Sequence, residues 1–425
     1  MNVLQATPAG SNTRTGTGLR RLLLFAYYFP PENESGAKRP YRFVRYLEQH
    51  GYQAHVITAS RQHPGAPWKD ATEAPGAMPA ARRVQAGACI GAAIQRVIPY
   101  NDQLPWVAHA VAEAQRLAST LRPDAIISTA PPVACHLAAW RTKRRFRLPW
   151  VADFRDPICG NPHRTRKLSR PYDAFVERLI VNNADAIIAN TDAAGETLGR
   201  RYPQWAHKIH VIWNGYDPEE RLEPLPIPRR ERKVLLHCGS LYAGRNPGAV
   251  VAAMDRLIAR GQLDPAKVRL RLIGWMDCSQ PWVSRPEFRN LQNHGCLEYV
   301  NQVVPEPEAI REMGLADYLL LLDGNEMGMA VQVPAKLFQY IRIGRPVLAI
   351  TPQGSPSERI LARSGIRYVA ADPNACQEQI DERIMRMFNL PAEPSEPSRW
   401  FEEQFNAEAQ TAMLASILES LTRPQ

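Results

Sequence analysis

Hydrophobic residues in the first half of this chain fall in short unbroken runs: Leu22–Tyr27, Ala54–Thr58, Ala125–Ser128, Trp150–Ala152, Asp185–Ala189 and Ile209–Ile212. A run that is apolar at successive positions, rather than at alternate ones, predicts a parallel strand covered on both faces. Between the runs, apolar spacing of three and four predicts helices at Gly36–His50, Pro131–Phe146, Leu168–Asn183 and Asp192–Tyr202. Strands alternating with helices predict a doubly wound parallel sheet.

The pattern then restarts. Pro224–Lys233, rich in proline and arginine, reads as a linker. After it, strands are predicted at Val234–His237, Val268–Ile273, Tyr318–Leu322 and Val347–Ile350. Helices are predicted at Pro247–Arg260, Glu306–Gly314, Pro334–Ile343, Ser355–Ser364 and Ala375–Phe388. A second proline-rich stretch, Pro391–Pro397, precedes a last amphipathic pattern, Arg399–Leu421. The expected organisation is a disordered leader (1–20), a first α/β domain (21–223), a linker (224–233), a second α/β domain (234–395) and a C-terminal segment (396–425). The two halves share an architecture but no sequence repeat.

Composition narrows the class. The 425 residues are 45% hydrophobic and 22% charged, which excludes a disordered or fibrous chain. A formal net charge of +10 favours anionic partners: nucleotides, sugar phosphates, nucleic acid or an anionic membrane. No nucleic-acid motif is present, so nucleic acid is not expected. The seven cysteines are scattered without a CxxC pair, which argues against a disulfide framework or a zinc site and for reduced thiols in a cytoplasm. No apolar run approaches the roughly 20 residues that span a bilayer. The basic-then-apolar segment Arg20–Phe29 reads as a buried first strand rather than a signal peptide.

In open parallel sheets ligands sit at the carboxyl ends of the strands, so the loops there are the place to look for chemistry. The first contains Gly36, which permits close backbone approach, followed by Lys38 and Arg39 in the first turn of a helix. Cations oppose the dipole there, so they suggest an anionic ligand; solvated surface charges are the plainer alternative. His136 follows the Pro131-Pro132 loop, where a lone helical histidine is more often a packing residue than a catalyst. Asp153, Arg155 and Asp156 close the next strand, either for sugar hydroxyls and proton transfer or as an internal ion pair. Asn214-Gly215 marks a turn near the domain junction. In the second half, Gly239, Gly244, Arg245 and Pro247 form an anion-binding arrangement, since arginine presents fork-like donors to a diphosphate. The loop Asp323–Ala330 leads to Lys336, a second first-turn cation that calls for an anion.

These blocks, in order, are YYFPPENESGAKRPYRFVRYLEQHGYQAHVIT, PDAIISTAPPVACHLAAW, PWVADFRDP, ADAIIANTD, VIWNGYD, HCGSLYAGRNP, ADYLLLLDG and VPAKLFQYIRIGRPVLA. Together they resemble family-four glycosyltransferases, retaining enzymes of the GT-B fold, and especially those of bacterial surface-glycan and polysaccharide assembly. The resemblance spans about residues 21–360. It implies two Rossmann-like doubly wound domains facing a cleft, with the terminal helix packed back on the first domain. It further implies a nucleoside-diphosphate-sugar donor, transfer with retention, and no metal or cofactor.

By the same resemblance, Arg245 and Lys336 hold the diphosphate, with Gly36, Gly239, Asn214 and Gln339 on the donor side. His136 and Asp156 join the catalytic group, and Lys38, Arg39 and Arg155 lie toward the acceptor. The acceptor is a glycan or lipid-linked, with peripheral contact to an anionic membrane at the basic run Arg141–Arg147. One departure stands out. Many members carry two glutamates with seven residues between them, where this chain has Val331 and Gln339. Glutamine still hydrogen-bonds a ribose hydroxyl but carries no charge. That keeps two alternatives open: a non-catalytic glycan- or nucleotide-binding protein of this fold, and a nucleotide-sugar epimerase.

Overall fold

The computed structural model describes residues 19–30, 35–59, 81–84, 103–161, 164, 170–241, 245–323 and 332–423. The expected leader therefore lies almost wholly outside the described residues. So do Tyr242–Gly244 of the anion loop and Gly324–Val331 of the loop before Lys336.

The first domain is a seven-stranded, wholly parallel sheet in the order β3-β2-β1-β4-β5-β6-β7. Its strands are β1 (Arg20–Ala26), β2 (Tyr52–Ala59), β3 (Ala81–Val84), β4 (Ala125–Ala130), β5 (Trp150–Phe154), β6 (Ala186–Ala189) and β7 (Ile209–Val211). Its helices are α1 (Ser35–Leu47), α2 (Leu104–Leu121), α3 (Ala134–Phe146), α4 (Arg170–Asn183) and α5 (Asp192–Arg201). Leu22, Leu23, Leu24, Phe25 and Ala26 are all fully buried, as a strand covered on both faces requires. Alternate residues feed the two cores: Leu23 and Phe25 pack toward α2 and α3, Leu22 and Leu24 toward α1.

The second domain is a six-stranded parallel sheet, β10-β9-β8-β11-β12-β13. Its strands are β8 (Lys233–Cys238), β9 (Val268–Ile273), β10 (Leu297–Val300), β11 (Tyr318–Leu322), β12 (Val347–Ile350) and β13 (Tyr368–Ala371). Its helices are α6 (Gly248–Ala259), α7 (Pro286–Asn293), α8 (Glu306–Leu315), α9 (Lys336–Ile343), α10 (Pro356–Arg363) and α11 (Gln377–Asn389). The chain order reverses between β8 and β11, so the crevice outside these two strands is the switch point where ligands bind.

Five elements carry no strong pattern. β3, β10 and β13 are four residues each and include polar or half-exposed positions. α7 is short. α2 buries an alanine-rich stripe (Ala110, Ala114, Ala118) against α3, and small side chains give a weak apolar signal. The last predicted helix is in fact two. Ser398 caps α12 (Arg399–Phe405) and Asn406 caps α13 (Ala407–Thr422). Phe401 and Phe405 of α12 join the second domain's core, while Leu414 and Leu418 of α13 join the first domain's, beside Phe43 and Leu47. The chain thus crosses between domains twice, at 212–217 and at 405–407. The two crossings bond to each other through Tyr216 N to Phe405 O (3.0 Å) and Ala407 N to Tyr216 O (3.0 Å). Only glycine fits at 215, because a Cβ there would overlap the Phe405 carbonyl.

Candidate active site

A cleft of about 500 Å³ separates the carboxyl ends of the two sheets. Most polar residues lining it lie in the segment between a strand's carboxyl end and the next helix: Arg155 and Asp156 after β5, Asn190 after β6, Asn214 near β7, Ser240 and Arg245 after β8, and Gln332 and Lys336 beyond β11. The Nε2 amide of Gln332 donates to Asp156 Oδ1 across the cleft at 3.0 Å, so the domains touch at its mouth.

Arg155 is held by a chain of local causes. Pro40 inside α1 has no N–H, which orphans the carbonyl four residues back, that of Gly36. Arg155 Nη1 donates to that carbonyl, and Nη2 donates to Pro131 O. A Cβ on residue 36 would overlap the guanidinium. Gly36, expected on the donor side, does line the cleft, and the space its missing Cβ leaves is taken by Arg155. Gly239 behaves alike. Its φ of 153° lies where side chains are strained, and a Cβ there would overlap the Lys336 ammonium.

Lys336 opens α9, whose first turn has no side-chain cap. It makes no ion pair or hydrogen bond among the described residues. Burial holds its pKa below the usual lysine value, and the charges of Arg245 and Lys38 act in the same direction. Glu306 acts the other way from a distance, but no carboxylate among the described residues pairs with this ammonium, so a helix N-terminus beside an arginine has room in its electrostatics for a strong anion. Beneath it lies His237, which sequence reasoning did not single out because its strand run is otherwise apolar. Its Nδ1–H donates to Leu320 O at 2.9 Å, leaving Nε2 as an unpartnered acceptor. Burial, aided by Lys336, lowers its pKa to about 3, so the ring is neutral at pH 7.

Four expected site residues stand elsewhere. Arg39 is 4% exposed and forks onto Asp153 (Nη2–Oδ1 2.8 Å, Nε–Oδ2 3.0 Å), with further bonds to Ile212 O and Trp213 O. Its expected acceptor-side role is corrected: it ties α1 to the crossover between domains. Lys38 is corrected likewise, being paired with Glu220 at 3.3 Å and with Glu306 of the second domain. Arg42 and Arg45 complete this face, on Gly215 O, Asp217 and Glu219. Gln339 does not line the cleft; its amide donates to Glu306 Oε1 at 3.3 Å. His136 lies one layer behind the cleft wall, fully buried, 4.8 Å from the Phe154 ring. Trp150 Nε1 donates to Ser128 Oγ (2.7 Å), and Ser128 Oγ is hydrogen-bonded to His136 Nδ1 (2.7 Å). Burial lowers the His136 pKa to about 3 as well.

Residues 37–220 match the family described as Glycosyltransferase Family 4. The match covers most of the first domain. Solved structures place it in a two-domain GT-B frame. Sucrose-phosphate synthase from Thermosynechococcus elongatus has a TM-score of 0.65 at 16% identity, covering 95% of this chain and 99% of that one. HepE from Anabaena, in complex with UDP and glucose, has a TM-score of 0.63 at 14% identity, covering 95% and 100%. α,α-Trehalose 6-phosphate synthase from Burkholderia multivorans has a TM-score of 0.62 at 13% identity, covering 95% and 97%. No curated protein sequence matches the chain significantly. The first domain supplies the Arg155–Asn214 wall of the cleft, and the second domain supplies Arg245, Lys336 and His237. Among the described residues no helix is long and apolar enough to cross a membrane, and no group of three or more metal-ligating side chains converges.

Proposed function

We propose that the protein transfers a sugar from a nucleoside-diphosphate sugar to an acceptor hydroxyl, with retention and without a metal, in cytoplasmic synthesis of a glycan or glycolipid. The observation that carries this reading is Lys336: a buried ammonium beside Arg245 at an open helix N-terminus, with no carboxylate in ion-pair contact among the described residues. A diphosphate supplies the missing charge. The two cations then stabilise the leaving group as its charge develops, the task a metal performs elsewhere. The sugar extends toward Asp156, Asn190 and Asn214 on the first domain's wall, and the UDP and glucose carried by HepE suit the same donor class. Retention rests on the family that the first domain matches. The acceptor hydroxyl approaches from the face the diphosphate leaves, and a diphosphate oxygen takes its proton, so no enzyme nucleophile is required.

The test is a panel of nucleotide-sugars, read by thermal shift and donor hydrolysis, with and without EDTA. One donor class should stabilise the protein and turn over in EDTA, and Lys336→Ala should lose both. A folded protein that answers no donor sinks the reading.

A further inference from the structure

His237 takes no part in holding the diphosphate, yet it lines the same cleft and is only 5% exposed. It interrupts the apolar run of β8. Its Nδ1–H donates to Leu320 O of the neighbouring strand β11 at 2.9 Å, which fixes the tautomer and leaves the lone pair on Nε2. Nε2 has no partner among the described residues, Lys336 included. A role confined to the core is met by Nδ1 alone, and an apolar residue would avoid the unpaired acceptor altogether. The unpaired acceptor calls for a hydrogen-bond donor brought by a ligand.

The phosphates of a nucleotide-sugar do not supply one. Burial and the charge of Lys336 lower the pKa of the ring to about 3, so at pH 7 Nε2 accepts and does not donate. Ionised diphosphate oxygens also only accept, and two facing acceptors repel. Once Arg245 and Lys336 hold the diphosphate, the donor group nearest to it along the ligand is a sugar hydroxyl, the one on the carbon next to the anomeric centre. The ribose hydroxyls lie at the far end, beyond the other phosphate.

We infer that His237 selects the sugar to be transferred, its Nε2 accepting a hydrogen bond from the 2-hydroxyl. The inference rests on the diphosphate site at Arg245 and Lys336 and adds a substrate class to it: a sugar with a free 2-hydroxyl, rather than a 2-deoxy sugar. A hydroxyl that leaves Nε2 satisfied is bound, and an analogue that leaves it buried and unpaired is rejected.

The experiment is titration calorimetry on the full chain with UDP-glucose and GDP-mannose, each beside its 2-deoxy-2-fluoro analogue, and with UDP and GDP. Fluorine keeps roughly the size of the hydroxyl but donates no hydrogen. Wild type should bind a hydroxyl sugar roughly 5- to 150-fold more tightly than its fluoro analogue. That comparison needs no variant. His237→Phe should bind both forms alike, and bind the bare nucleotide as wild type does. His237→Gln, whose amide offers a donor to Leu320 and an acceptor to the sugar, should restore part of the preference. Wild type that binds nucleotide and nucleotide-sugar but makes no distinction at the 2-position overturns the inference alone. A preference that survives in His237→Phe assigns the discrimination to another residue and overturns it too. Wild type that binds none of these ligands overturns the diphosphate reading and this one together.

Discussion

Two helices begin at the carboxyl ends of parallel strands with cations in or near their first turn, and they use them oppositely. On α1, Lys38, Arg39, Arg42 and Arg45 all meet carboxylates or carbonyls of the protein, chiefly in the 212–220 crossover. On α9, Lys336 meets none among the described residues. The same sequence feature thus builds a hinge clamp in one place and an anion site in the other. The supply of partners makes the difference: Asp153, Asp217, Glu219 and Glu220 surround α1, while Lys336 of α9 stands beside Arg245 and a neutral His237, and the one carboxylate between the two helices, Glu306, is paired with Lys38 and Gln339.

The sharpest way to break this comparison is Arg39→Ala, which leaves Asp153 buried with, among the described residues, only Thr129 as a side-chain donor. Loss of one partner from a buried pair should destabilise the fold by about 3–5 kcal/mol in urea unfolding. Lys336→Ala should do the reverse. The apo protein should melt no lower, because a buried ammonium without a partner is removed, while donor affinity falls roughly 10- to 150-fold, measured by calorimetry. If both substitutions behaved alike, the distinction between clamp and anion site would fail.

Acidity tests the neutral histidines, one behind each wall. Both have folded pKa values of about 3, below the ordinary 6.5. The unfolded chain therefore binds more protons, and stability falls as pH drops below about 6.5, continuing until about pH 3. At pH 5 each ring should account for about 2 kcal/mol of that loss. His237→Gln should remove its share of the slope in a pH series of denaturation curves. The smallest effect belongs to Lys38→Ala. Its pairs are about one-third exposed, so stability should change by only about 0.2–1 kcal/mol. A larger effect on donor KM than on stability would show that the Lys38–Glu306 contact biases closure of the cleft.

Much of the frame was legible before the fold was known. β11 and β12 begin and end where their apolar runs do, because a strand buried on both faces must be apolar throughout. Arg155, Asp156, Asn214, Arg245 and Lys336 were legible as cleft residues because position at a strand's carboxyl end is a matter of chain order. His237 was not, since a single polar residue within an apolar strand gives no sign of which face it lines. The single terminal pattern also concealed two helices, because Asn406 caps the second without interrupting the apolar spacing.

The sequence by itself determined the two doubly wound halves, the loops that face each other and the residue types available in them. Periodicity and turn chemistry are local, so they survive in one dimension. Tertiary structure alone decided which cations are neutralised and which await a ligand. Arg39 finds Asp153 across 114 positions, Lys38 finds Glu306 across 268, and Arg155 completes the carbonyl that Pro40 orphans across 119. Electrostatic roles depend on distance in space, and no local pattern records it.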